Sequence, residues 1–306
     1  MSIYGMFKST GPSGFGYNST AEQVSEVLDL SGKTFLVTGS NSGLGLETVR
    51  VLLLRGATII AAARTAEKAE AATRGMGGSV VPLACELSEP ESVRAAVKAV
   101  QEGGHVLSGI IANAGIMALP TRTVSHGLEL QLLTNHFGHF ILVCGLLDQL
   151  ADDGRVVMLS SAAHTGTYSG GIRFDDLDAA KHYTPWGAYG QSKLANLLFA
   201  RALSKRLPKP GQTANAVHPG VIATNLSRHM NKVVQGIFGA LGPVVALKSI
   251  AAGAATETYV AVHPDAAKVN GEYWADCNIK QSSAYGRDMA LAEKLWQTTE
   301  EIVAKL

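Results

Sequence analysis

Residues 34–56 read TFLVTGSNSGLGLETVRVLLLRG, and the fold turns on how this stretch is parsed. The opening TFLVTG is an unbroken apolar run of strand length, the pattern of a strand covered on both faces. In SGLGLETVRVLLLRG, Leu46, Val49 and Leu53 recur at helical spacing and Gly56 supplies a stop. Between strand and helix lie Gly39, Gly43 and Gly45, in a T-G-x-x-x-G-x-G spacing. Glycines there let the chain turn tightly and bring backbone N–H groups against a phosphate, at a helix N-terminus whose dipole favours anions. Three glycines in an arbitrary loop say little. Placed between the first strand and the first helix of a series, they mark a pyrophosphate-binding loop.

The series continues on the C-terminal side. ATIIAAAR precedes AEKAEAATRG, SVVPLA precedes EPESVRAAVKAVQEG, and VLSGIIANAG precedes the long helical stretch around LELQLLTNHFGHFILVCGLLDQL. GRVVMLSS, TANAVHPG and GEYWA supply three more strands, with helical segments between them. Apolar strands alternating with amphipathic helices predict an α/β fold: a single doubly wound Rossmann domain, an about seven-stranded parallel sheet with helices on both faces. That domain is expected over residues 31–306. Residues 1–30 read as an N-terminal extension, in which Ser19-x-x-Glu22 is a capping-box pattern predicting a short helix from about Thr20 to Val27.

Charge and cysteine usage narrow the functional classes. A formal net charge of +1 provides neither a basic stripe for nucleic acid nor a polybasic patch for anionic membranes. The apolar stretch from Val233 to Leu247 is shorter than a bilayer span and carries three glycines and Pro243, so no integral membrane span is expected. The N-terminus lacks a basic region followed by an apolar core. Cys85, Cys144 and Cys277 are scattered and odd in number, which points to free thiols in a reducing, cytoplasmic setting. His136 and His139 have ligand-like spacing without a second ligand cluster, so no metal is expected.

In open α/β sheets ligands bind beyond the carboxyl ends of the strands. Arg64 follows the second strand, about 20 residues beyond Gly45, where an acid would hold a ribose 2′-hydroxyl and an arginine suits a 2′-phosphate. NADP(H) is therefore expected over NAD(H). The third strand ends at Cys85-Glu86-Leu87, the fourth at ANAG (112–115), the fifth at Ser160-Ser161, and the sixth at HPGVIAT (218–224). Small, polar or turn-forming residues close every strand on one edge. The helical segment AYGQSKLANLLFARAL, from Ala188, stacks Tyr189 and Lys193 at i and i+4. Such a pair is either a surface contact worth a few tenths of a kcal/mol or a phenol tuned by a fixed cation.

TGSNSGLG, ANAG, LTNHFGHF, MLSSAAH, YGQSKLAN and HPGVIAT, in that order and spacing, resemble the short-chain dehydrogenase/reductase family over roughly residues 31–280. The likeness is to the retinol dehydrogenase and WW-domain oxidoreductase branch, with light-dependent protochlorophyllide reductase a more distant relative. The resemblance implies a catalytic tetrad of Asn135, Ser161, Tyr189 and Lys193. Tyr189 would be general acid or base. Lys193 would bind the nicotinamide ribose and lower the tyrosine pKa from about 10 toward 7, a shift of roughly 4 kcal/mol. Ser161, with Ser160 as the adjacent alternative, would bond the substrate oxygen. Asn135 would hold a water linking Lys193 to solvent, unless it is simply a buried Asn satisfied by backbone.

For the cofactor, the resemblance implies Gly39, Gly43, Leu44 and Gly45 at the phosphates, with Ser40 and Asn41 in the same loop and Ser40 helping Arg64 at the 2′-phosphate. Asn113 would meet the adenine ribose, with Ala114 and Gly115 beside it. Ile222 and Thr224 would meet the carboxamide, behind Pro219 and Gly220. Glu86-Leu87 departs from the family's usual Asp-Leu, but Glu86 would still accept from the adenine amino group. Residues 225–247 are the expected substrate lid. Their apolar character, with Ile116, Met117, His164, Tyr183 and Trp186 near the strand ends, predicts a lipophilic carbonyl or alcohol substrate resembling a retinoid, steroid, terpenoid or aromatic ketone. A carbon–carbon double-bond reductase and a non-catalytic NADP-binding sensor or scaffold are the competing readings. A homo-oligomer stays open.

Overall fold

The computed structural model describes residues 9–222 and 247–306. Eight strands form the central sheet: β1 (Thr34–Thr38), β2 (Thr58–Ala63), β3 (Ser79–Ala84), β4 (Leu107–Ala112), β5 (Leu150–Leu159), β6 (Thr213–His218), β7 (Tyr273–Ala275) and β8 (Asn278–Ile279). Their spatial order is β8-β7-β6-β5-β4-β1-β2-β3. β1 to β7 run parallel, and β8 alone returns antiparallel against β7. The seven parallel strands are those expected from the sequence. The eighth is a two-residue edge whose pattern is too short to read. Strand order reverses between β1 and β4, so the glycine loop after β1 opens at the switch point where a crevice forms.

Burial follows position in the sheet. Phe35, Leu36 and Val37 of β1 are almost wholly buried. β3, at the edge, is partly exposed and carries Pro82, which cannot donate to a ladder and is tolerated there. One apolar core joins the sheet to α4 (Pro90–Glu102), α5 (Gly138–Gly145), α6 (Pro185–Leu203) and α8 (Met289–Val303). A second lies between the other face, α2 (Gly43–Leu54), α3 (Ala66–Thr73) and α7 (Ala255–Val262). The long helical stretch expected around residues 128–150 is broken. A π-helical turn, Leu133–Phe137, precedes α5, and a 3-10 turn, Leu147–Gln149, follows it.

Within the extension, α1 spans Ala21–Val24, and the capping box is one residue later than expected. Thr20, not Ser19, is the N-cap, and Gln23 closes the box from the other side. Glu22 instead forms an ion pair with Arg50 of α2, and its carbonyl accepts from Arg55. A free carboxylate is better used beside an arginine than as a cap that a glutamine can supply.

Candidate active site

The loop after β1 is built to leave donors open. Gly39 takes φ 68°, the left-handed region, and Gly45 must stay small because a Cβ there would stand 2.5 Å from the Gly39 carbonyl. Ser42 is the N-cap of α2 but its side chain makes no capping hydrogen bond. The first amides of α2 therefore keep their unsatisfied donors and the positive end of the helix dipole for an anion. Leu44 turns its side chain into a small apolar cluster with Ala21, Val51 and Ala254, against which Ile222 packs, so it offers the loop its backbone only. A loop held this tight, with its amides open at a helix start, suits a pyrophosphate.

Ser40 corrects an expectation. Its hydroxyl is fully buried and donates to the Ala62 carbonyl at 3.0 Å, fastening the loop to β2 instead of reaching toward a 2′-phosphate. Arg64, two residues beyond Ala62, is exposed, and no hydrogen bond or ion pair engages it among the described residues. Asn41 is partly exposed in the loop. Just past β3, the Glu86 carboxylate turns back to accept from Ser88 Oγ at 3.0 Å through one oxygen, which leaves the other able to accept from an amino group. Leu87 lies in the core.

A chain of hydrogen bonds links the ends of β1 and β4 to the π-helical turn. Ala114 N donates to Thr38 Oγ1 at 3.0 Å, and Thr38 Oγ1 is 2.9 Å from His139 Nε2. His139 Nδ1 is 2.8 Å from the Asn135 carbonyl. A carbonyl only accepts, so Nδ1 carries the proton and Thr38 donates to Nε2. Burial holds the His139 pKa down at about 4, consistent with a neutral ring, and Lys193 adds to that shift. Asn113 donates to the Thr38 carbonyl at 2.8 Å, and its amide nitrogen lies where a Gly45 side chain would fall. Gly115 sits against Asn135 and Lys193, since a Cβ there would be 3.0 Å from Asn135 Oδ1 and 3.4 Å from Lys193 Nζ.

Asn135 is a brace. Its Oδ1 accepts from Ile116 N at 2.9 Å, and its amide donates to the Ile116 carbonyl and to Ser192 Oγ, each at 2.9 Å. Backbone satisfaction is thus what the geometry displays, and a water relay through this residue has only the remaining lone pairs to use. His136 and His139 face different partners, the former lying 3.0 Å from Thr299 Oγ1 of α8. Among the described residues no cluster of three His, Cys, Asp or Glu side chains is placed to hold a metal.

The helix with the tyrosine and lysine is no surface element. Sixteen of the nineteen α6 residues are buried, because the helix is enclosed by the sheet, the 3-10 turn after β5 (Ala162–Gly166) and α8. Tyr189 is 5 % exposed and Lys193 2 %. Lys193 Nζ donates to the Leu159 carbonyl at 3.0 Å and lies 5.7 Å from the centre of the Tyr189 ring. That bond uses one of three ammonium donors; two stay available for ligand hydroxyls. Ser160 is buried and donates to the Lys193 carbonyl at 2.8 Å. Its adjacent neighbour Ser161 is partly exposed and accepts from Ala163 N at 3.1 Å, which leaves its own proton to give. Ser161, not Ser160, faces the site.

The tyrosine's tuning differs from the expectation. Burial pushes the Tyr189 pKa up to about 12, and a hydrogen bond with the Ser161 side chain pulls the other way. Lys193, its amine 5.7 Å from the ring centre, does not lower it here, and burial brings Lys193 itself down to about 8. Glu257, buried on α7, opposes that fall. Desolvation outweighs attraction at both groups.

At the sixth strand, Gly220 has φ 96° and stands where a Cβ would meet Lys248 Cδ at 2.7 Å. Pro219 precedes it, and Ile222 is partly exposed beside Leu44. Thr224 and the lid residues before Leu247 lie outside the described residues. Around the catalytic turn, Trp186 is 47 % exposed, with its ring centre 6.1 Å from that of Tyr189. Tyr183 is committed to the Leu119 carbonyl at 2.6 Å. His164 is buried, with both ring nitrogens engaged by protein. Sequence reasoning missed the Thr38–His139 link and the Thr48–Glu257 bond of 2.5 Å between α2 and α7. The i, i+4 spacing of Asn135 and His139 was a usable signal for the first; no local pattern announces the second.

A phosphate cradle at the switch point, facing a serine, a tyrosine and a lysine on the same sheet edge, defines a dinucleotide-dependent oxidoreductase of the Rossmann class. The comparisons with known proteins specify the family. The short chain dehydrogenase family model matches residues 33–174. Short-chain dehydrogenase TIC 32 A, chloroplastic, of Brassica napus is 42% identical over the whole of both chains. Mouse (Mus musculus) retinol dehydrogenase 12 is 37% identical over 90% of this chain and 88% of its own. Among solved structures, the angucycline C-6 ketoreductase LanV with bound NADP shares the fold, with a TM-score of 0.66 and 24% identity over 81% of this chain and 95% of its own. The chain belongs to the short-chain dehydrogenase/reductase family, close to the retinol dehydrogenases. It is an oxidoreductase of the short-chain dehydrogenase type.

Proposed function

We propose that the protein is an NADP(H)-dependent oxidoreductase that interconverts a lipophilic carbonyl and its alcohol, with Tyr189 as general acid and base. The observation that carries this reading is the convergence of Ser161, Tyr189 and Lys193 beyond β5: a serine hydroxyl whose proton is uncommitted and whose side chain acts on the phenol, and an ammonium 5.7 Å from the phenol ring centre with two open donors. The cofactor, when bound, supplies or accepts the hydride. Ser161 holds the substrate oxygen by donating its proton. Tyr189 protonates that oxygen in reduction and removes the proton in oxidation. Lys193 binds the ribose hydroxyls, anchored from behind by the Leu159 carbonyl. Asn135 keeps residues 115 and 116 in place beside Lys193.

Arg64 supports the preference for NADP(H): an exposed guanidinium just past β2, with Ser40 turned away, is free to clamp a 2′-phosphate. The greasy substrate class rests on the exposed Trp186 beside Tyr189 and on the retinol dehydrogenase named among the relatives. The three free thiols fit a reducing compartment such as the cytoplasm. Among the described residues no helix is long and apolar enough to cross a membrane.

The test is NADPH oxidation, followed by absorbance, with retinal, α-tetralone, a steroid ketone and matched enones. Reduction at the carbonyl of any of these substrates supports the proposal. Reduction of enones alone, at the carbon–carbon bond, would replace it with a double-bond reductase. NADPH binding without turnover of any of them would leave a sensor or scaffold.

A further inference from the structure

His164 lies one turn past Ser161 and makes no use of its imidazole for ligands. Its Nδ1 is 2.6 Å from the Ser161 carbonyl, and its Nε2 accepts from Ser283 N at 3.1 Å. The first partner only accepts and the second only donates, so the ring is held neutral in a single tautomer. It is 2 % exposed, with the Tyr273 ring 5.1 Å away, edge to face. The turn it serves, Ala162–Gly166, is a 3-10 helix of five residues, a form too short to hold its own geometry.

What holds the turn comes from far along the chain. Ser283 begins a segment that lies over α6, where Gly286 would place a Cβ 2.6 Å from Leu197 Cδ2. Tyr285 of the same segment accepts from Gly170 N at 3.0 Å through its hydroxyl. On the other side of the turn, Ala162 N donates to His218 Nδ1 at 3.2 Å. The Ser161 carbonyl also accepts from His164 N at 3.1 Å. Ser161 is therefore gripped at its backbone, while its hydroxyl accepts from Ala163 N and keeps its proton.

We propose that His164 is a positioning residue: by bridging the Ser161 carbonyl to the Ser283 amide, it sets where the Ser161 hydroxyl stands against Tyr189 and makes residues 282–287 part of the active-site frame. This inference rests on the catalytic roles proposed above for Ser161 and Tyr189. It differs from them in assigning function to a side chain that touches neither substrate nor cofactor.

The experiment is a double-mutant cycle on the full chain, with kcat and KM measured for NADPH-dependent reduction of retinal and of α-tetralone. Ser161→Ala is expected to lower kcat about 10²–10³-fold, as for removal of one donor at a developing oxyanion. His164→Ala is expected to lower kcat roughly 10-fold or more, since a small misplacement of a reacting group is costly, with KM for NADPH within about twofold of wild type. The double variant should fall within about twofold of Ser161→Ala alone, because residues acting through one group are not additive. His164→Gln, which keeps an acceptor for Ser283, repeats the cycle in a chain better able to fold. Losses that multiply in both cycles, or a KM for NADPH that rises as kcat falls, would overturn the positioning role. An unimpaired Ser161→Ala would remove the catalytic reading of the site and this inference with it.

Discussion

Two turns face one another across the carboxyl edge of the sheet, and they treat their polar groups in opposite ways. The turn after β1 leaves the start of α2 uncapped, with Ser42 making no side-chain bond. The turn after β5 ties its groups inward: Ser160 to Lys193, Ser161 to Ala163 and His164, Ala162 to His218, His164 to Ser283. A binding loop needs donors that are unmet until a ligand arrives. A catalytic loop needs one hydroxyl held within a fraction of an ångström, and that takes partners around it. The contrast extends to α6, whose N-cap Thr184 accepts from Gly187 N at 3.1 Å although α2 has no such cap.

The largest expected effect is on the catalytic side. Tyr189→Phe keeps the ring packed against Trp186 and removes the proton, so kcat should drop about 10²–10⁴-fold while NADPH affinity, measured by fluorescence titration, changes little. A variant that retained a tenth of the wild-type rate would break the contrast, since the tightly held loop would then be holding nothing catalytic. On the open side, Arg64→Leu should erase most of the preference for NADPH over NADH. A charge-assisted bond of about 1.5–3 kcal/mol corresponds to roughly 10- to 150-fold in relative Kd.

Glu257 tests how the open side is supported from beneath. Burial raises its pKa to about 7, against the pull of the Thr48 hydrogen bond and of Lys193. One of its oxygens has no hydrogen-bond partner among the described residues. Between about pH 4.5 and 7 the folded chain binds this proton more tightly than the unfolded chain, so Glu257 makes stability fall as pH rises through that window. Glu257→Gln should remove that slope, leaving a variant whose Tm relative to wild type improves as pH climbs from 5 to 7. An unchanged slope would mean that the carboxylate is stabilised by something other than Thr48 and Lys193. The smallest effects separate the two helix starts. Thr184→Ala should cost about 1 kcal/mol by thermal unfolding, and Ser42→Ala under about 0.5 kcal/mol, because only the first loses a capping bond.

Legibility differed between the two turns for a physical reason. A phosphate loop must be glycine-rich at fixed offsets from a strand end, so Gly39, Gly43 and Gly45 were readable directly, as was the Tyr189–Lys193 pair at helical spacing. The strands were readable because buried parallel strands are apolar runs, and β3 was found despite lying at an edge. The capping box was misplaced by one residue because Ser19, Thr20, Glu22 and Gln23 offer two overlapping patterns, and the neighbouring Arg50 decides between them. The π-helical turn inside the long helical stretch left no readable mark, because it leaves the hydrophobic pattern nearly unchanged.

From the sequence alone followed the order of strands and helices and the edge of the sheet where the candidate site residues gather. All of these depend on local period and on residue type. The tertiary structure decided what surrounds them. It turned Ser40 into β2, left Ser161 rather than Ser160 to face the site, and made Asn135 a brace. It also buried Tyr189 and Lys193 deeply enough that desolvation, not their mutual attraction, governs both pKa values. Those outcomes depend on partners outside the local pattern, and the turn at Ser161 is held from still further, by Ser283 bonding His164 across 119 residues of chain. Such a distance leaves no periodic trace: it is set by which faces pack together, and packing is a property of the whole fold.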